Sequence, residues 1–358
     1  RFVLIEPLAR SRYKMETRAQ DLVDQMMVAK IKNADGIFVP DPFDTENGLM
    51  NSDGTPGELL LPWRTTALML GGSKFIGSIR LPQGSRNYIF SRGNEAVMVV
   101  WNEGPMTEEI YLGEDVHQID IWGRKVRAEM TKDGLRQRIR VDSISTFVTG
   151  VSEQISRWRM ACRFEHEKLP SVFGSAHRNG LKMTNFFQQG AGGEVTLVTP
   201  KVWKVYPQTM TFKMAVGEEL NKHFGVEFPF TASSGTHEVR IDFDVNVDRR
   251  YRFSVWRDLD IGLGDVKIDL STKLDPKGNL IVEQRMTNVT DKQLEFRCYL
   301  YAPDRRRQRN QVYALGREPD LKRYVLPKGE ELLGETLWLR AEEVGGARTL
   351  NYRFEAVK

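Results

Sequence analysis

Three carboxylates near the start of the chain combine residue type and placement in a way that suits chemistry. Glu6 ends the apolar run Phe2-Val-Leu-Ile5, and Asp41 and Asp44 flank Pro42 at the head of a loop, 41–54, rich in Asp, Asn, Gly and Pro. A carboxylate at the end of a strand sits on a stiff support, from which it can act as acid, base or nucleophile. The two Asp residues also have a plain structural use, because short acidic side chains beside a proline build turns.

The remaining candidates carry less. Phe164-Glu-His-Glu167 reads as a strand, which puts Glu165 and Glu167 on one face and His166 on the other, so the three do not converge on a metal. His117, His177, His223 and His237 are scattered, without a neighbouring Cys or a second His at ligand spacing. Phosphate loops, dinucleotide fingerprints, zincin motifs and Gly-x-Ser-x-Gly elbows are missing from the sequence, so no metal and no cofactor is expected. Asp304-Arg-Arg-Arg-Gln-Arg309 follows Pro303 in a strand-to-strand connection, with neither a basic helix nor interleaved aromatics beside it. A solvated or ion-paired loop is expected there, rather than a grip on phosphates or an acidic polysaccharide. Cys162 and Cys298 read as buried free thiols, and Asn288-Val-Thr290 would accept a glycan only in a eukaryotic secretory setting.

The elements that must position these residues change character along the chain. Its 358 residues, with 52 Lys and Arg against 48 Asp and Glu and 10% aromatics, suffice for roughly two to four folded units and indicate neither disorder nor a nucleic-acid coat. No apolar run approaches the ~18 residues of a membrane helix. Over residues 1–72 the order is strand, helix, strand, helix. Ala19, Leu22, Val23, Met26, Met27 and Ile31 fall at helical spacing behind a capping-box pair, Thr17 and Gln20, and Gly36 closes the segment. Ile37-Phe-Val39 is a second strand. Pro62 would clash in a helix begun at Thr55, so the second helix is expected over about 61–70, ended by Gly71-Gly72.

From residue 73 the period becomes two. Eight short strands are expected between Lys74 and Val151, which makes a compact antiparallel sandwich. Two further β units follow, over 152–246 and 247–358, with turns at Asn179-Gly180, Val216-Gly217, Ser234-Gly235, 276–279 and 344–346. Because the chain starts on Arg1 with a strand already under way, it is expected to be part of a longer polypeptide.

The leading block and the strands after it, Phe75-Ile-Gly-Ser-Ile79, Tyr88-Ile-Phe90, Val97-Met-Val-Val-Trp101 and Gln118-Ile-Asp-Ile-Trp-Gly123, resemble the end of a clan A (β/α)8-barrel glycoside hydrolase with its accessory β-domain. The resemblance implies that Glu6, at the end of the seventh barrel strand, is the nucleophile, and that Asp41 and Asp44 orient it or bind sugar hydroxyls. The acid/base partner, about 5 Å away in a retaining enzyme, would come from an earlier strand, and a whole barrel takes roughly 250 residues, so these residues alone are expected to be inactive. Val39-Pro-Asp-Pro-Phe-Asp44 departs from the family's aromatic platform. Gly193-Glu-Val-Thr-Leu-Val-Thr-Pro200, Trp203-Lys-Val-Tyr-Pro207 and the stretch from Phe228 to Ile241 are similar to the immunoglobulin-like domain attached to bacterial α-galactosidases, in which Trp203 would pack the core.

The expectation is therefore a mainly β chain: the last βα units of a TIM barrel (1–72), a barrel-associated sandwich (73–151), an Ig-like sandwich (152–246) and a terminal sandwich (247–358). The implied partner is an oligo- or polysaccharide, and the implied compartment extracellular or periplasmic. A non-catalytic scaffold with carbohydrate-binding or spacer modules is the rival.

Overall fold

The structure, a computed structural model, describes residues 1–93, 95–262 and 266–358. It is mainly β, with antiparallel sheets packed as sandwiches; among the described residues the α-helices lie at the start of the chain and in one connection, and a short 3-10 helix, Gly329–Leu332, lies in the third sandwich.

Strands Phe2–Leu4 and Gly36–Phe38 pair in parallel, Phe2 opposite Gly36 and Leu4 opposite Phe38, joined by helix α1, Met15–Ile31. α1 buries Ala19, Leu22, Val23, Met26 and Met27, the stripe anticipated from spacing. Its start differs from expectation. Lys14 is the N-cap and makes no side-chain cap, so Thr17 lies inside the helix. Gln20 instead reaches Ser145: its amide donates to Ser145 Oγ at 2.9 Å and its carbonyl accepts from Ser145 N at 2.7 Å. Tertiary contact outcompeted the local capping box. Helix α2, Leu60–Leu70, starts late enough to place Pro62 in its first turn, where the missing N–H has no helical partner to lose.

The first sandwich sets a six-stranded sheet against a three-stranded one. Glu95–Trp101 lies inside the larger sheet and is buried on both faces. Val97 and Val99 meet the layer of α1 and α2, whereas Ala96, Met98 and Val100 meet the three-stranded sheet. Double cover is why this strand reads as a continuous apolar run. The expected strand over 125–130 is broken into Lys125–Arg127 and Glu129–Met130, which join different sheets.

A helix not anticipated from the sequence, α3, Glu153–Ala161, leads into the second sandwich. Ser152 caps it by accepting from Ile155 N, and Ile155, Trp158 and Cys162 bury one side. Trp158 sits among Phe187, Phe212, Phe243 and Phe253 with ring centroids 5.5 to 6.0 Å apart. The unit has a four-stranded and a five-stranded sheet, and the five-stranded one extends past the boundary expected after Asn246. Strand Arg250–Ile261 pairs along its whole length with Gly235–Asn246, so residues 247–249 are a hairpin turn inside the unit. The sheets of the third sandwich begin at Val266.

Buried polar ties lock the units together. The Arg159 guanidinium, 2% exposed, donates to Tyr111 O at 2.6 Å in the first sandwich and to Ser254 O at 3.0 Å in the second. Arg257 takes up the end of α3 by donating to Cys162 O at 2.6 Å and to Arg159 O, and Arg80 pairs with Glu238 and Asp258. Between the second and third units the Asn351 amide donates to Phe230 O at 3.1 Å and Ala232 O at 3.0 Å, while Ser234 N donates to Asn351 O at 2.6 Å.

Candidate functional site

Glu6 lies one residue beyond the hydrogen-bonded end of its strand, where Ile5 N still donates to Phe38 O at 2.8 Å. Its carboxylate is exposed and accepts one hydrogen bond, from the Asn47 side-chain amide at 3.1 Å. Asn47 comes from the loop after the second parallel strand, so the two C-terminal strand ends meet at this contact.

Asp44 shapes that loop. One of its oxygens accepts from Asn47 N at 2.7 Å and Glu46 N at 2.8 Å. These backbone donors, Asn47 first, favour the ionised form and hold the Asp44 pKa below its ordinary value. Gly48 is required next, because a Cβ there would fall 2.4 Å from Asp44 O. Asp41 accepts from Phe43 N at 3.0 Å, an Asx turn. Neither aspartate hydrogen-bonds Glu6 among the described residues. Asp44 and Glu6 share Asn47 as a hydrogen-bond donor, through its backbone and its side chain respectively, whereas Asp41 makes a turn-forming contact.

Beneath the loops lies Arg18, 3% exposed. It donates to Leu8 O at 2.8 Å, to Glu46 O at 3.0 Å and to Glu58 Oε2 at 3.0 Å, tying the connections after both strands to the start of α2. Ser11 N donates to the Glu46 carboxylate at 2.8 Å, and Ser11, through its side chain first and this backbone bond second, holds the Glu46 pKa below its ordinary value. Arg18 and Asn47 were not among the sequence candidates. The available signal for Arg18 was a charge four residues before Leu22, within the buried stripe.

Elsewhere the structure sorts the other candidates. Trp203 is a core residue, 4.7 Å from the Phe228 ring. Cys162 and Cys298 are buried free thiols. Asn288 is 1% exposed and its amide nitrogen donates to Lys292 O and Leu315 O, so it offers no glycan acceptor. Glu165 approaches the His223 ring at 3.7 Å, outside any cluster of three metal-binding side chains among the described residues. Among those residues no helix is long and apolar enough to cross a membrane.

One face of the parallel pair is bare. Phe2 is 74% exposed, Leu4 70% and Phe38 49%, and Gly36 leaves room for the Phe2 and Phe38 rings, whose centroids are 5.7 Å apart. The opposite face, with Val3, Ile5 and Ile37, packs on the α1 and α2 layer.

Comparison with known proteins identifies no family: no family model and no curated protein matches the chain. Solved structures to which the chain aligns include red sea bream transglutaminase (12% identity over 63% of this chain and 40% of that one, TM-score 0.26). A putative β-galactosidase from Bacteroides fragilis aligns at 10% identity over 71% of this chain and 41% of that one, TM-score 0.21. The Class 5 fimbriae chaperone CfaA aligns at 9% identity over 55% of this chain and 100% of that one, TM-score 0.20. Likenesses this distant carry no functional argument.

Proposed function

We propose that the parallel pair and its helices are the closing βα units of a (β/α)8 barrel, and that Glu6 is the nucleophile of a retaining glycoside hydrolase whose accessory sandwiches follow. The observation that supports this is the bare apolar face beside a carboxylate at the C-terminal strand ends. Parallel strands are ordinarily covered on both faces, and in a closed barrel Phe2, Leu4 and Phe38 would fill the interior while Glu6 stood on the rim. In such an enzyme Glu6 attacks the anomeric carbon as the leaving-group oxygen is protonated by a second carboxylate. Water, deprotonated by that same group, then releases the sugar and frees Glu6. Asn47 would fix the orientation of the Glu6 carboxylate. An exported protein acting on oligo- or polysaccharides suits this reading.

The test is made on the full-length polypeptide that contains these residues, with a panel of aryl glycosides. Glu6→Gln should lower kcat by several orders of magnitude with an unchanged melting temperature. Glu6→Gly should regain turnover with azide and give a glycosyl azide. Undiminished hydrolysis by Glu6→Gln would refute the assignment. The rival reading, a non-catalytic carbohydrate-binding scaffold, draws on the hydrogen-bonded junctions at Arg159 and Asn351, which suit a rigid spacer. It predicts that Glu6→Gln is silent in every assay.

A further inference from the structure

The outer face of the four-stranded sheet in the third sandwich gathers arginines and aromatic rings that are scattered in sequence. Leu294, Phe296, Cys298 and Leu300 point into the core, which leaves Arg297, Tyr299 and Tyr301 outside. Pairing register then sets Tyr299 opposite Arg309 on one side and Arg340 on the other. It also sets Tyr301 opposite Trp338, and Trp338 opposite Arg353. Directly opposed residues of an antiparallel pair share a face at contact distance.

The rings organise the cations. Tyr301 and Trp338 stack with centroids 4.8 Å apart, and the Arg353 guanidinium lies 6.0 Å from the Trp338 ring. Arg307 lies 5.3 Å over Tyr299. A guanidinium stacked on a ring keeps its in-plane fork of N–H donors free, the geometry that suits a carboxylate or sulfate.

Among the described residues, Arg297, Arg307, Arg309 and Arg353 have no ion-pair partner, whereas Arg340 pairs with Glu342 at 2.7 Å. The contrast with a groove of about 650 Å³ on the first sandwich is direct. There Arg124, Arg127, Arg138 and Arg140 each face a carboxylate, at 3.4, 3.8, 3.0 and 2.6 Å. Positive charge is neutralised within the chain at one place and left available at the other.

We propose that this outer face binds an acidic polysaccharide, a glycan chain whose rings carry carboxylate or sulfate groups, through the guanidinium groups of Arg297, Arg307, Arg309 and Arg353. Charge complementarity calls for a polyanion, and the ring arrangement favours a glycan. Single-stranded nucleic acid gains most of its contact by stacking bases on open aromatic faces. Trp338 already has Tyr301 and Arg353 against its ring, and Tyr299 has Arg307. The site is independent of Glu6.

The test uses the whole 358-residue chain and measures affinity for polygalacturonate, dextran sulfate, unsubstituted dextran, oligo-dT and a random DNA duplex at about 0.15 M salt. Binding to polygalacturonate, dextran sulfate or both is expected, and which one binds separates carboxylate from sulfate recognition. That binding should weaken as salt rises, and dextran should not bind. Arg309→Glu with Arg353→Glu should lose about tenfold or more in affinity, while Arg124→Glu changes nothing. If the double variant melts early, Arg297→Gln alone decides, with an expected loss of about threefold. Failure to bind either acidic glycan, equal binding of dextran, tighter binding of either nucleic acid, or unchanged affinity in the charge variants would overturn the proposal.

Discussion

The parallel pair at the start of the chain and the antiparallel sandwiches after it dispose of their sheet faces in opposite ways. In the second sandwich two sheets close over a core centred on Trp158, which is fully buried among four phenylalanines. In the parallel pair one face rests on helices while Phe2 and Leu4 stand largely in solvent. Strand pairing alone therefore says little about stability. An antiparallel hairpin finds its cover in the next hairpin, whereas a parallel pair needs strands or helices brought by long crossovers.

Four measurements probe this difference between the two regions. Trp158→Ala should destabilise by about 3–5 kcal/mol in urea unfolding, because the second sandwich cannot collapse into the vacated space. Arg18→Ala should follow at about 2 kcal/mol, since it removes charge-assisted bonds to Leu8 O, Glu46 O and Glu58.

The third is a pH dependence confined to the sandwiches. Burial pushes the Cys162 thiol from 9.0 up to about 12 and the Cys298 thiol up to about 11. As pH rises past 9 the unfolded chain releases these protons first. The stabilisation is thus fully present below pH 9 and is lost progressively between pH 9 and the folded values, by about 1 kcal/mol per thiol at pH 10. Unfolding midpoints at pH 8 and pH 10 would show it, and Cys162→Ala and Cys298→Ala should each remove part of the drop. The smallest effect belongs to the bare face: Leu4→Ser should shift stability by less than about 0.5 kcal/mol. A loss as large as that at Trp158 would mean that the face is covered in solution.

Much of the fold was legible in residue periodicity. The stripe of α1, the second helix and the strand series between Lys74 and Ser152 follow spacings of three to four and of two. α3 was missed because Ile155 and Trp158 sit among strand-like neighbours, and nine residues of helix are too few for a clear pattern. The turn at 247–249 passed for a boundary because a hairpin turn and a linker share the same polar residues. At the candidate site, Glu6 announced itself by ending an apolar run. Asn47 could not, since its role arises only when the two loops meet.

The β-rich class, the helical start, the burial of Trp203 and the position of Glu6 at a strand end could be read from residue type and local period alone. Tertiary structure decided that Gln20 bonds Ser145 instead of capping its own helix, that Asn47 meets Glu6, and that Arg353 lies over Trp338 while Arg140 is neutralised by Glu129. Those outcomes depend on strand register and loop docking, which bring together residues from separate stretches of the chain, and no short-range pattern encodes such distances.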